Sequence, residues 1–369
     1  MAKKLTVGVV FGGRSGEHEV SLVSATSVMK ALDKSKYDIL PIGITKDGRW
    51  FAGDGVMEAL KAGKTPPVKQ EVIISSDPGR NGVYNLNDHK LLPIDVAFPI
   101  LHGTFGEDGT IQGLFEMAGI PYVGAGVLGS SVGMDKIMQK EVARAEGATV
   151  VPFVWFLYKN YLSAGGAVVK QIEEGLGYPV FVKPSNSGSS VGIAKAKNRK
   201  ELEAAIKDAG RYDRRILVEK GIVGAREIEV SVLGNDEVVA SCCGEVIPSN
   251  EFYDYDAKYV DGKSKTLVPA ELDPSVAKKI QAMAIHSHRA IDCSGMARVD
   301  FLVTKDKIYL NELNTIPGFT SISMYPKLFE ASGIPYPELL DRLITLALER
   351  HDERAHFLTS YKPKAEWFR

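Results

Sequence analysis

Apolar and polar positions along the first third of the chain follow two rhythms. LTVGVVF, Leu5 to Phe11, is an apolar run of strand length and reads as a buried strand. After a glycine-rich turn, Val20 to Leu32 repeats its apolar residues at helical spacing. YDILPIGIT (Tyr37 to Thr45) and IDVAFPIL (Ile94 to Leu101) read as further strands. Strands alternating with helices predict an α/β class with a parallel sheet. Between Lys46 and Lys90 the pattern is mixed, and it predicts a surface insertion of short strands with one helix around Val56 to Ala62.

The middle of the chain, from about Pro121, predicts a helix over Asp135 to Glu146, a strand in TVVPFVWFL and a polar helix over Ala167 to Glu174. YPVFVKPSNSGSSVGIAKAK reads as a strand, a long Gly/Ser tip and a returning antiparallel strand. The last third mixes strands (Arg215 to Glu219, Glu227 to Leu233, Val238 to Cys243) with helices over Pro274 to Ile291 and Tyr336 to Arg350. Asp273-Pro274 supplies an N-cap and a first-turn proline. Ala297 to Thr304 and Lys307 to Leu313 predict a hairpin across Lys305-Asp306. The C-terminal part is therefore α+β in character.

Composition narrows the class. The 369 residues are 44% hydrophobic and 25% charged, the profile of a globular chain of two or three domains. The net charge is −1, from 45 basic and 46 acidic residues, so no basic excess exists for nucleic acid. The N-terminal apolar run is too short for a signal core or a membrane span. Cys242, Cys243 and Cys293 show no metal-binding spacing, which points to packing roles in a reducing cytoplasm.

Three nucleotide-like patterns do not carry that function. Gly124 to Gly129 matches GxGxxG, but no acid closes the next strand as a dinucleotide site requires, and the stretch reads as a turn entering the Asp135 helix. Gly63-Lys64-Thr65 and Gly262-Lys263-Ser264 lack the upstream P-loop glycine, its position being held by Glu58 and Ala257.

Three other segments carry chemistry. Lys183 ends an apolar strand and is followed by PSNSGSSVG, in which Gly188 and Gly192 let the backbone bend and the amides and serines could cradle phosphate. A solvated hairpin tip with a snorkelling lysine is the alternative. ILVEK places Glu219 at a strand end, with Glu227 downstream, as acceptors for ribose or adenine or as ordinary strand-end carboxylates. Sharpest is Arg298-Val-Asp300 with Glu312-Leu-Asn314. Period-two alternation gives each pair one face, and the hairpin sets the pairs side by side. Two carboxylates and an amide oxygen suit magnesium bridging phosphates, and without a cation the acids would repel.

Together these segments resemble the ATP-grasp fold, and within it the D-alanine–D-alanine ligase family. GGRSGEHEVS, LHGTFGEDGTIQG, GVLGSSVGMDK, VKPSNSGSSVG, EFYDYDAKY, MARVDF and NELNTIPGFTSISMYP carry the resemblance over nearly the whole chain. It implies three domains: 1–120 for substrate, 121–214 as the central ATP-grasp domain, and 215–361 as the catalytic domain with a lid loop at 245–265, followed by a tail at 362–369. The implied reaction joins two D-alanines for peptidoglycan: ATP phosphorylates the first carboxylate and the second amine attacks the acyl phosphate. The protein supplies positioning and charge neutralisation.

The resemblance also implies roles. Glu17 would hold the first ammonium, and Lys136, Lys183 and Lys258 the ATP phosphates. Ser189 would bridge Glu17 to Tyr259, and Glu219 and Glu227 would take the adenosine. Asp300, Glu312 and Asn314 would hold two Mg2+, with Mn2+ able to substitute and a monovalent cation as a further activator. Arg298 and the Gly318 amide would stabilise the oxyanion. Ser323 and the Met324 amide would grip the second carboxylate, and His102 would orient the amine or accept its proton. Tyr253, Tyr255 and Tyr259 fall in a lid that excludes water. The lid tyrosine Tyr259, absent from related D-Ala-D-lactate enzymes, favours the dipeptide. The implied assembly is a homodimer in the cytoplasm, with neither nucleic acid nor membrane as partner. A different ATP-grasp ligase would not need GEHEVS and FYDYDAKY together, and a non-catalytic nucleotide binder could dispense with the metal set.

Overall fold

Strand β1 (Leu5–Gly12) lies between parallel neighbours β2 (Tyr37–Ile44) and β7 (Val96–Ile100), and cores cover both its faces, Val7, Val9 and Phe11 in one and Val10 in the other, so its residues run apolar without alternation. The computed structural model describes residues 3–188, 191–247 and 265–361. β3 (Trp50–Ala52) adds an antiparallel edge, giving the order β3-β2-β1-β7. Helix α1 (His18–Ala31) packs on this sheet through Leu22, Ala25 and Val28. The stretch read as an insertion holds α2 (Val56–Lys61) and a three-stranded sheet of β4 (Val72–Ile74), β5 (Gly82–Asn85) and β6 (Leu91–Pro93).

Helices α3 (Thr110–Ala118) and α4 (Val127–Met134) lead into α5 (Lys136–Ala145). Asp135 caps α5 by accepting from the N–H groups of Ile137 and Met138. The GxGxxG stretch differs from expectation: α4 opens directly after Gly126, where a turn running on to Asp135 was expected. VLGSSVGM has weak helix formers, and tertiary contact overrides that preference. A Cβ at Gly129 would lie 2.8 Å from the Asp292 carbonyl oxygen, so the glycine permits close approach of the helix to that turn.

The second sheet has the order β10-β9-β11-β8 and is antiparallel throughout. It comprises β8 (Phe153–Leu157), β9 (Val180–Pro184), β10 (Ala194–Ala196) and β11 (Arg215–Lys220). The expected hairpin around the Gly/Ser loop is β9 and β10, with Ala194 opposite Val182. The strand expected from Thr149 starts only at Phe153, since Val150 bridges to Leu310 instead. The helix expected over Ala167 to Glu174 is longer: α6 runs Tyr158–Leu176 with a kink at Ala164. Helix α7 (Arg199–Ala209) was not anticipated, although Leu202, Ala205, Ile206 and Ala209 have helical spacing and are buried.

The third sheet, β14-β13-β12-β15-β16, carries the site. Its strands are β12 (Arg226–Gly234), β13 (Val239–Ile247), β14 (Lys265–Leu267), β15 (Gly295–Val303) and β16 (Ile308–Asn314). One face packs against α8 (Pro274–Ala290) through Val230, Val299 and Leu313, with Ile280 and Ala284 on the helix. Short α9 (Met324–Ala331), also unanticipated, and α10 (Tyr336–Ala355) complete the chain. Leu339, Leu340, Leu343 and Ile344 of α10 join the same core as Val7, Val9 and Phe98 of the first sheet. Among the described residues no helix is long and apolar enough to cross a membrane.

Candidate active site

The hairpin of β15 and β16 pairs Arg298 with Asn314 and Asp300 with Glu312. Residues directly opposite share a face, so these four side chains stand on the side away from the buried Val299 and Leu313. The row continues onto β12, where Glu229 lies opposite Asp300 and Ser231 opposite Arg298. Arg298 donates from Nε to Asp300 Oδ1 at 2.8 Å and from Nη2 to Oδ2 at 2.7 Å. Its Nε lies 3.1 Å from Glu229 Oε2, and Asn314 Nδ2 donates to Asp300 Oδ2 at 3.2 Å. Burial works against the charge of Arg298, yet Asp300, Glu229 and Glu312 hold its pKa well above the usual value.

Helix α5 contributes Lys136, Gln139 and Lys140, which share one face because they are three and four residues apart. Lys136 Nζ donates to the Ser187 carbonyl at 2.6 Å, and its backbone N–H to Ser185 at 2.9 Å, so it holds the base of the Gly/Ser loop. Burial lowers the pKa of its ammonium. Gln139 both donates to the Leu313 carbonyl and accepts the Leu313 N–H, each at 3.0 Å, which fixes the backbone between Glu312 and Asn314. Lys140 Nζ reaches the Asn311 carbonyl at 2.7 Å and Glu219 Oε1 at 2.6 Å. Lys183 Nζ lies 2.5 Å from Glu219 Oε2. Burial pushes the Glu219 carboxyl up, but the two ammoniums outweigh it and bring it to about 2. Both oxygens of Glu219 are therefore engaged by lysines beneath the site. Glu227 remains on the cavity wall.

On the opposite side, Glu17 is the buried residue at the start of α1. A Cβ at Gly103 would lie 2.7 Å from Glu17 Oε2, and one at Gly188 would collide with the same oxygen, so two glycines enclose this carboxylate. His102 is buried, with Nδ1 3.2 Å from the Ile316 carbonyl and Nε2 3.3 Å from Ser24 Oγ, and burial lowers its pKa. The Gly103 N–H donates to Glu107 Oε2 at 2.6 Å. Burial and the nearby Glu17 raise the Glu107 carboxyl to about 8. A Cβ at Gly318 would lie 2.7 Å from Ser323 Oγ, which accepts the Thr320 N–H at 3.0 Å just before α9 begins. Such a helix start offers N–H groups to an anion.

Glu17, His102, Lys136, Lys183, Glu227, Arg298, Asp300, Glu312, Asn314, Gly318 and Ser323 thus line one cavity of ≈ 230 Å³. Ser189, Lys258 and Tyr259, with Tyr253 and Tyr255, lie outside the described residues. The sequence reading missed Glu107, Gln139, Lys140 and Glu229. Polar residues on an inward helix face signal Gln139 and Lys140, and the alternation Glu227, Glu229 signals the last. Among the described residues no group of three His, Cys, Asp or Glu is gathered as a metal cage. Two carboxylates and an amide on adjacent strands nonetheless fit Mg2+ or Mn2+, hard ions that keep water and phosphate ligands. Acids outnumber bases along the cavity wall, so a bound cation would lower their mutual repulsion.

Comparison with known proteins gives the family. Residues 6–125 match the family model described as D-ala D-ala ligase N-terminus, and residues 142–345 match the D-ala D-ala ligase C-terminus. A D-alanine–D-alanine ligase of Heliobacterium modesticaldum is 53% identical, covering 98% of this chain and 99% of that one. The solved D-alanine-D-alanine ligase of Coxiella burnetii has a TM-score of 0.83 at 40% identity, covering 96% and 97%. The VanG D-Ala:D-Ser ligase of Enterococcus faecalis has a TM-score of 0.84 at 39% identity, covering 94% and 100%.

Proposed function

The chain belongs to the D-ala D-ala ligase family, ATP-dependent ligases that form a peptide bond, and from that premise we propose that it joins two D-alanines through a D-alanyl phosphate. The observation that carries this reading is the quartet Arg298, Asp300, Glu312 and Asn314 on one sheet face, in the same cavity as Lys136 and Lys183. The two lysines, joined by Lys258, take the ATP phosphates, and Glu219 and Glu227 take the adenosine. Glu219 also fixes Lys183. Asp300, Glu312 and Asn314 hold two Mg2+, for which Mn2+ substitutes, and this charge offsets that of the phosphates. A monovalent cation is a further activator.

Glu17 binds the first ammonium and orients its carboxylate toward ATP, with Ser189 bridging to Tyr259. The second D-alanine is gripped at its carboxylate by Ser323 and the Met324 N–H. Its amine attacks the acyl carbon beside His102, which orients the amine or accepts its proton; the tetrahedral centre then breaks its C–O bond to the phosphoryl group and releases inorganic phosphate. Arg298 and the Gly318 N–H face the oxyanion, where preorganised donors give their largest effect. A lid over 245–265 excludes water from the acyl phosphate.

We further propose three domains, 1–120, 121–220 and 221–361; the second boundary, expected after residue 214, moves past Lys220 because β11 pairs within the sheet of the central domain. The three free cysteines support a cytoplasmic location, and the family likeness supports a homodimer.

Phosphate release measured with D-alanine, L-alanine, D-serine or no amino acid, with and without Mg2+, tests the reading. Release that requires both D-alanine and Mg2+ is expected. ADP formation independent of D-alanine would sink it, and preference for D-serine as second substrate would reassign the product.

A further inference from the structure

Arg298 is shared between two carboxylates of different standing. Asp300 receives both arms of its fork and belongs to the set that fits a metal ion. Glu229 approaches the same guanidinium from the neighbouring strand, with Oε2 3.1 Å from Nε. It is nearly fully buried and stands directly opposite Asp300 in the β12–β15 register. Glu229, Asp300 and Glu312 therefore form a row of three acids across three adjacent strands. Like charges in direct opposition disfavour a sheet unless a cation lies among them. Arg298, on the same face of β15, meets Glu229 and Asp300 directly, while Lys136 and Lys183 also act on Glu312.

We propose that Glu229 is a positioning residue: it keeps hold of Arg298 when Asp300 turns its oxygens to a metal, so that the arginine stays at the oxyanion position and the aspartate is released to coordinate. The physical argument is one of competition. A carboxylate that receives a bidentate arginine fork has its best lone pairs occupied. Metal binding at Asp300 must draw those lone pairs away, and a buried guanidinium left without a counter-charge is costly. A second carboxylate already in contact removes that cost. The arrangement also explains an acid pointing into a crowded anionic face, where Ser231 two residues on is neutral.

The proposal rests on the metal reading given above, and the test separates the two. Binding of Mn2+ in the presence of a non-hydrolysable ATP analogue, followed by the loss of the free-ion paramagnetic resonance signal, is compared between native protein, Glu229→Gln and Glu229→Asp. In Glu229→Gln, which keeps shape and removes charge, Mn2+ is expected to bind about threefold more weakly, the effect of losing one ion-pair partner of Arg298. kcat should fall with KM for D-alanine little changed, and Glu229→Asp should recover part of both. A lower melting temperature with unchanged Mn2+ affinity and kcat would make Glu229 structural and overturn the proposal. If Glu229→Gln does not fold, Glu229→Asp decides: its shorter reach must weaken Mn2+ binding, and native affinity there overturns the proposal equally. Native protein that binds no Mn2+ would instead overturn the metal reading itself.

Discussion

Glu107 lines the same cavity as Glu17, Asp300 and Glu312, and its environment sets it apart from them. Burial beside Glu17 raises its carboxyl from 4.5 to about 8, so it stays protonated in the folded chain where an unfolded chain has already ionised. Between those two values the folded state binds more protons, and stability therefore falls as pH rises. Glu107→Gln should flatten that decline and be the more stable form above pH 8, as urea unfolding of ligand-free protein at pH 5, 6.5 and 8.5 would show. Parallel curves for the two proteins would remove the assignment. At Tyr259 the expectation is chemical: Tyr259→Phe should yield measurable depsipeptide with D-lactate at acidic pH, and dipeptide alone would count against its role in selecting the product. Single residues were legible in the sequence where spacing forces a geometry. Arg298, Asp300, Glu312 and Asn314 are the example, since period-two alternation and a hairpin leave them little freedom. Glu107 was not legible as a perturbed acid, because GTFGEDG shows a carboxyl but not the residues that surround it.

Helix α5 and strand β11 make one device out of residues that no local pattern connects. Glu219 holds Lys140 and Lys183 at once, and all three are withdrawn from solvent. Removing one member of a buried ionic group leaves the others uncompensated. Glu219→Gln should therefore cost about 3–5 kcal/mol in urea unfolding. Adding Lys140→Met to it should recover part of that loss, since one of the two stranded ammoniums is gone. A double variant no more stable than Glu219→Gln would show that the lysines are hydrated and not coupled. The elements themselves were legible to different degrees. Helix α8 announced its start through Asp273 and Pro274. Helix α4 did not, because its glycines and serines argue locally against a helix, while Gly129 serves close packing against the turn at Asp292. The longer reach of α6 was hidden by Gly165 and Gly166, weak helix formers directly after its kink at Ala164.

At the scale of the whole molecule the cavity is walled by the first sheet's loops, α5 and the third sheet, so a ligand that fills it binds only the assembled chain. A non-hydrolysable ATP analogue with Mg2+ should raise stability by about 2.7 kcal/mol at a hundredfold excess over its Kd, and a melting temperature indifferent to the analogue would exclude nucleotide from this cavity. The parallel first sheet and the antiparallel later ones were readable from strand spacing and hairpins. The partner of the first sheet was not, because contacts between distant segments leave no periodic trace. That partner is α10: Leu340 and Leu343 lie in one core with Val9 and Phe98, Lys36 pairs with Asp341, and Arg350 Nη2 donates to the Tyr122 carbonyl at 2.9 Å. A ribosome delivers β1 first and α10 among the last segments, so for most of synthesis the nascent first sheet must wait with an apolar flank uncovered. During that interval its apolar flank is open to non-native contacts, and loss of the segment from Tyr336 onward would expose the same flank in the finished enzyme.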